Sequence, residues 1–149
     1  MNLHHILLII HLVCATIWVG GHLFLVIRVL PKALSEKDVV GLKSFKDKFE
    51  PLGMPSLILL LVTGVWMAYD YNATLSTWFS FSNNIERVIS IKLILLLLTV
   101  VLAVLADRII FPKLNQNNLN IAAIPILLVT VIGVVMLILG SFVRYGGIP

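Results

Sequence analysis

The four histidines of this chain all lie in its first long apolar run, at His4, His5, His11 and His22. An imidazole is costly to place inside a bilayer, so a histidine in an apolar run of spanning length is a functional candidate. At about 100° per residue, His4, His11 and His22 return to within about 20° of one another on a helix. His5 falls about 100° away from them. One face of one helix therefore carries three imidazoles, and we expect the function to lie along that face.

A lysine and a thioether from other apolar runs are predicted at the depth of His11. Lys92 lies about one and a half turns into the third run, and Met67 lies near the end of the second. Cu(I) accepts imidazole and thioether ligands. A row of copper sites at His4, His11 and His22, with Met67 as a co-ligand, is the first chemistry that these residues predict.

Haem is the second chemistry that this layer could support. A b-type haem held between helices would take His11 as one axial ligand and Lys92 or Met67 as the other. A third alternative is purely structural. His11 would then bond to a neighbouring helix, Lys92 would extend to the membrane surface, and Met67 would fill space in the core.

Several common catalytic arrangements are missing from the sequence. No Asp or Glu occurs in the middle of a predicted helix, which argues against a carboxylate proton relay. The chain also has no Gly-rich phosphate loop and no Ser–His–acid set that could converge. These absences argue against a hydrolase and against a nucleotide-driven pump.

The composition is that of an integral membrane protein. Of 149 residues, 60% are hydrophobic and only 12% are charged. Backbone groups in lipid must pair within their own segment, so the apolar runs are predicted to be helices. We therefore expect an all-α protein in which residues 1–149 form a single four-helix transmembrane bundle. The predicted helices span about 3–30, 54–71, 86–111 and 120–142.

The lysines and arginines predict the topology of this bundle. Eight of the 11 lie in or beside the loops after the first and third runs, against three on the opposite side. Because basic loops stay in the cytoplasm, both termini should be periplasmic in the inner membrane of a bacterium. The same topology explains the net charge of +4, so nucleic acid is not an expected partner.

The first cytoplasmic loop is predicted to contain a short amphipathic helix. Ser35 is a suitable N-cap, and Leu42, Phe45 and Phe49 follow at helical spacing with lysines between them. Such a helix would lie on the inner leaflet, or it would act as a connector that shields the mouth of the bundle.

Three stretches, residues 11–24, 49–64 and 91–98, resemble the first three helices of the copper resistance D (CopD) family of bacterial inner-membrane proteins. They also resemble the related HemJ-type protoporphyrinogen oxidases, whose matching histidine and lysine are the proposed haem ligands. The end of the first helix lacks the Pro-Arg of the HemJ type, so the copper-resistance type is the closer match. The specific part of the resemblance consists of His11, Trp18, Gly21 and Lys92.

The resemblance implies a protein that takes up, transfers or confers resistance to copper and is not an enzyme. The HemJ alternative implies an oxidoreductase with His11 and Lys92 on haem b. The expected partners are the lipid bilayer, a periplasmic metal carrier and a second copy of the chain. A second copy could supply ligands that one copy lacks, because every histidine is on one helix.

Overall fold

The computed structural model describes residues 2–149, and its regular structure in that range is entirely helical. Four stretches in this range are long and apolar enough to cross a membrane, and we call them the first to fourth spans. The predicted all-α bundle of four membrane helices is therefore confirmed. The spans are Leu3–Glu36, Val39–Asp70, Asn84–Lys113 and Leu119–Val143.

Two of the spans contain a π-helical turn near the same end of the bundle. The first span consists of α1 (Leu3–Phe24), the π turn Leu25–Val29 and α2 (Leu30–Glu36). The second and fourth spans are single helices, α3 (Val39–Asp70) and α5 (Leu119–Val143). The third span consists of α4 (Asn84–Leu105), the π turn Ala106–Ile110 and the 3₁₀ turn Phe111–Lys113.

The second span begins well before the predicted residue 54. Lys37 takes a left-handed conformation with φ of 55°, and this ends α2. Asp38 then caps α3 by accepting a hydrogen bond of 2.8 Å from the Gly41 N–H, so the predicted cap at Ser35 is wrong. The amphipathic segment is present, but it forms the first part of α3 and is continuous with the membrane helix. Its apolar face packs into the bundle, where Leu42 is only 1% exposed.

The helices pack in a definite order. Among the described residues the close neighbours are α1 with α3, α1 with α5, and α4 with α5. The order of neighbours is therefore α3, α1, α5 and α4, and the helices α3 and α4 at the ends of this order are not close neighbours. Gly133 of α5 admits the side chain of Val19, because a Cβ at Gly133 would lie 3.3 Å from Val19 Cγ2. In this arrangement α1 and α5 each have two neighbouring membrane helices.

The start of α1, the 71–83 loop and the C-terminal tail lie at one end of the bundle, which we call the terminal end. The loop is tied to α4, where the Phe79 N–H donates to Ser90 Oγ at 3.1 Å. The C-terminal tail is tied to the same helix, because the Ile148 N–H donates to the Asn84 carbonyl at 3.1 Å. The connections around Lys37 and Leu114 form the opposite end.

Candidate functional site

His4 lies in an open cleft at the terminal end of the bundle. A hydrogen bond of 2.7 Å joins His4 Nδ1 to Asp70 Oδ2, and both side chains are partly exposed. The Tyr71 ring stands edge-on to the imidazole, with 5.8 Å between ring centroids. The cleft measures about 460 Å³ and is also lined by Trp66. His4 is therefore accessible from outside the bundle and held by the last turn of α3.

His11 lies half-buried at the interface between α1 and α3. A hydrogen bond of 2.8 Å joins His11 Nδ1 to Thr63 Oγ1. The ring rests on the next residue of α3, because a Cβ at Gly64 would lie 3.2 Å from His11 Cε1. The absence of a side chain at Gly64 thus allows the imidazole to reach Thr63.

His22 lies in an aromatic environment nearer the opposite end. Its Nδ1–H donates to the Trp18 carbonyl one turn earlier, at 2.8 Å. The Trp18 ring lies 4.5 Å from the imidazole centroid, and the Phe49 ring of α3 lies 5.6 Å away, edge-on. The Phe49 ring fits between the helices only because Gly21 and Gly53 have no side chains. His22 and Phe49 line a cavity of about 110 Å³.

A group of charged residues meets at this cavity, which Lys46 also lines. The Lys46 ammonium lies 2.8 Å from Glu50 Oε2 on its own helix and 2.8 Å from Asp107 Oδ1 on the third span. It also lies over the Phe111 ring, 5.6 Å from the centroid. Lys46 thus links the second span to the π turn of the third.

The three histidines of the predicted face all point toward α3. Asp70, Thr63 and Phe49, the α3 residues that they meet, follow one another along that helix. Among residues 2–149, no three His, Cys, Asp or Glu side chains converge as a metal site would require. The imidazoles are therefore separate positions along one interface and do not form a single cluster. His5 lies off this face and is exposed.

Lys92 and Met67 occupy other positions. Lys92 of α4 is partly buried, and its Nζ lies 3.7 Å from the point where a Cβ of Gly140 would stand. Met67 is half-buried near the end of α3. Neither the cleft at His4 nor the cavity at His22 is lined by Lys92, Met67 or His11, so neither offers room for a haem between those residues.

The residues that hold the imidazoles were not predicted as site residues. Thr63 and Asp70 look in the sequence like an ordinary helical threonine and a helix-end carboxylate. Only the register between α1 and α3 brings them to His11 and His4. Lys46 and Asp107 were likewise counted only as topology signals and helix-end charges. Pairing them requires knowing that the second and third spans approach each other at this end.

The fold and the site define a class and a family. Four spanning helices with polar groups on an internal helix face make this a multi-pass helical membrane protein. The chain belongs to the copper resistance protein D (CopD) family, whose model matches residues 43–143. The match covers Lys92 but not the first span, so the histidines lie outside the matched range. No curated protein and no solved structure matches the chain.

Proposed function

We propose that this protein binds copper in a bacterial inner membrane and passes it along the side of α1 that faces α3. The observation that carries the proposal is the placement of His4, His11 and His22 along one helix–helix interface, from the terminal end toward the opposite end. Membership of the copper resistance family supports copper as the ion. Imidazole is a suitable ligand for copper in either common oxidation state.

The His4 cleft is the proposed entry point. It opens at the terminal end, which the lysine and arginine distribution assigns to the periplasm. A copper ion from a periplasmic carrier would meet the imidazole of His4 first, while the Asp70 carboxylate holds that ring through Nδ1. The aromatic rings of Trp66 and Tyr71 would line the cleft beside the ion.

The spacing along α1 favours separate sites over one continuous channel. At about 1.5 Å per residue, His11 is roughly 10 Å from His4, and His22 is roughly 16 Å further. No ion can contact two of these imidazoles at once, so each site needs additional ligands. Water, the Met67 thioether or a second copy of the chain would supply them. A site with one protein imidazole should bind copper with moderate affinity, and moderate affinity suits transfer of the ion better than its storage.

The Lys46 group closes the proposed exit. Its ammonium lies between the Glu50 and Asp107 carboxylates, and the Lys46 side chain lines the cavity of His22. The ammonium occupies the carboxylate oxygens that an approaching cation could otherwise bind, so passage to the cytoplasm would require the ammonium to move away.

Copper binding by purified protein tests the proposal directly. We would measure copper stoichiometry and affinity in mild detergent by competition with a chromogenic Cu(I) chelator. His11→Ala and His22→Ala should each lower the affinity or remove a site. His5→Ala is the matched control, because His5 is on the same helix but off the face. Wild-type protein that binds no copper, or binding unchanged in His11→Ala and His22→Ala, would refute the proposal.

The visible spectrum distinguishes copper from the haem alternative in the same preparation. Oxidised and dithionite-reduced spectra of the wild type should show no Soret band. A Soret band that is lost in His11→Ala would replace the copper proposal with a haem protein. The proposed orientation is tested separately, since an alkaline phosphatase fused to the C-terminus should be active only if that end is periplasmic.

A further inference from the structure

All three imidazoles on the α3-facing side of α1 are bonded through the same ring nitrogen. In His4, His11 and His22 it is Nδ1 that has an oxygen partner, at 2.7, 2.8 and 2.8 Å respectively. The partners differ: they are a carboxylate, a hydroxyl and a backbone carbonyl. The common feature is therefore the nitrogen used and not the kind of residue that it meets.

The chemistry of the partners fixes the direction of two of these bonds. The Trp18 carbonyl has no proton to give, so His22 Nδ1 must carry the hydrogen. The ionised Asp70 carboxylate is likewise only an acceptor, so His4 Nδ1 carries the hydrogen.

The direction of the third bond follows from what the threonine hydroxyl does elsewhere. Thr63 Oγ1 lies 2.6 Å from the Leu59 carbonyl oxygen, and two oxygens approach that closely only with a proton between them. The Leu59 carbonyl cannot supply that proton, so the single hydroxyl proton of Thr63 points to Leu59. Toward His11 the hydroxyl oxygen can then only accept, and His11 Nδ1 is the donor.

A neutral imidazole carries one N–H, so a proton on Nδ1 leaves the lone pair on Nε2. We propose that Thr63 and Asp70 are positioning residues that hold His11 and His4 in the tautomer whose Nε2 is free to bind a metal ion. His22 is held in the same tautomer by its own helix. This inference deepens the proposed function, because it names the ligand atom and the residues of α3 that select it.

The environment of Thr63 explains why His11 should strongly favour the tautomer with the hydrogen on Nδ1. Thr63 is 3% exposed, so water does not compete effectively for its hydroxyl. Gly64 lets the imidazole lie against the α3 backbone, which fixes the ring as well as its proton. Hydrogen bonds of this kind to a metal-binding histidine typically change metal affinity by about 10- to 100-fold.

Nitrogen NMR of metal-free protein tests the tautomer without any metal. Protein labelled with ¹⁵N-histidine, at a pH where the rings are neutral, should show an Nδ1–H and a bare Nε2 at His11. Thr63→Val removes the hydroxyl at nearly constant volume and should mix the two tautomers at His11 alone. Thr63→Ser restores a hydroxyl and should restore the Nδ1–H form.

Thr99→Val is the matched control. Thr99 is also 3% exposed and donates to a carbonyl one turn earlier in α4, but no hydrogen bond links it to a histidine. Its loss should leave the His11 signals unchanged. An Nε2–H tautomer in the wild type, or a spectrum of His11 that Thr63→Val does not alter, would overturn the inference.

Copper titration of the same variants separates this inference from the proposed function. Thr63→Val should weaken copper binding at His11 by about 10- to 100-fold, Thr63→Ser much less, and Thr99→Val not at all. Asp70→Ala should likewise weaken copper binding at His4. If the tautomers are as expected but no variant or wild type binds copper, the positioning role stands and the proposed function fails. If copper binds but Thr63→Val leaves its affinity intact, the positioning role fails instead.

Discussion

Adding one methyl group at Gly21 should destabilise the bundle, whereas adding it one residue earlier should not. A Cβ at Gly21 would overlap Cε2 and Cζ of the Phe49 ring, closer than real atoms approach. The ring cannot retreat freely, because its other side rests on Gly53, where a Cβ would lie 2.7 Å from Phe49 Cε1. A Cβ at Gly20 meets nothing within 4 Å. The two glycines therefore form a matched pair on the same helix.

The expected magnitude follows from two opposing effects. Alanine is a better helix former than glycine by roughly 0.5–1 kcal/mol, and both variants gain this amount. Overpacking a filled interface costs about 1–3 kcal/mol, and only Gly21→Ala incurs it. The difference in unfolding free energy between the two variants isolates the overlap with Phe49, and it should be about 1–3 kcal/mol.

Thermal or denaturant unfolding in one detergent measures this difference. Gly20→Ala should unfold at or slightly above the wild-type midpoint, and Gly21→Ala below it. A second change, Phe49→Leu, removes the ring that the methyl meets, so the double variant should recover part of the loss. Equal midpoints for Gly20→Ala and Gly21→Ala, or no recovery in the double variant, would refute the packing described between α1 and α3.

Three further predictions use the same unfolding and copper-binding assays. Gly64→Ala should move the His11 ring by a few tenths of an ångström, so it should weaken copper binding at His11 with little change in stability. A loss of stability larger than the loss of copper affinity would contradict this prediction. Lys46→Met should lower the free energy of unfolding by about 0.5–1 kcal/mol at low salt and make stability less sensitive to added salt, because it removes partly exposed ion pairs with Glu50 and Asp107. An unchanged salt dependence would argue against those pairs. Leu42→Ala should lower the free energy of unfolding by about 2–5 kcal/mol, because the Leu42 side chain is only 1% exposed. The control Val40→Ala should change it little, because Val40 is 78% exposed. Similar losses in both variants would contradict the burial of the amphipathic segment.

The length and character of the apolar runs were sufficient to predict the four spans. Their boundaries were less predictable where polar and apolar residues alternate. The segment from Val39 to Phe49 has lysines on one face and was predicted to be a short helix in the loop, either on the inner leaflet or as a connector at the mouth of the bundle. It instead continues into the second span, because its apolar face has a partner in the bundle and Asp38 starts the helix. Pro51 and Pro55 look like boundary signals, yet both are tolerated inside α3.

The imidazole face was predictable from spacing, because residues of one helix share a known geometry. What each imidazole bonds to was only partly predictable. The His22 bond is made within α1, but the bonds of His4 and His11 depend on how far α3 is shifted along α1. That register is set by packing between helices, including the Phe49 ring between Gly21 and Gly53, and no periodicity in the sequence reports it.

Four residues within the stretch 11–24 that carried the resemblance divide into two kinds once the register is known. In the tautomer that we infer, Nε2 of His11 and of His22 is the ring nitrogen that carries the lone pair for a metal ion. Trp18 and Gly21 instead shape the surroundings of His22. The Trp18 carbonyl accepts a hydrogen bond from His22 Nδ1–H and its ring covers the imidazole, while Gly21 admits Phe49 beside it. Residues that we propose bind copper and residues that pack beside Phe49 are therefore interleaved within 12 residues of α1. Gly21→Ala and His22→Ala separate the two, because the first should lower stability together with copper affinity, while the second should lower affinity with a smaller effect on unfolding.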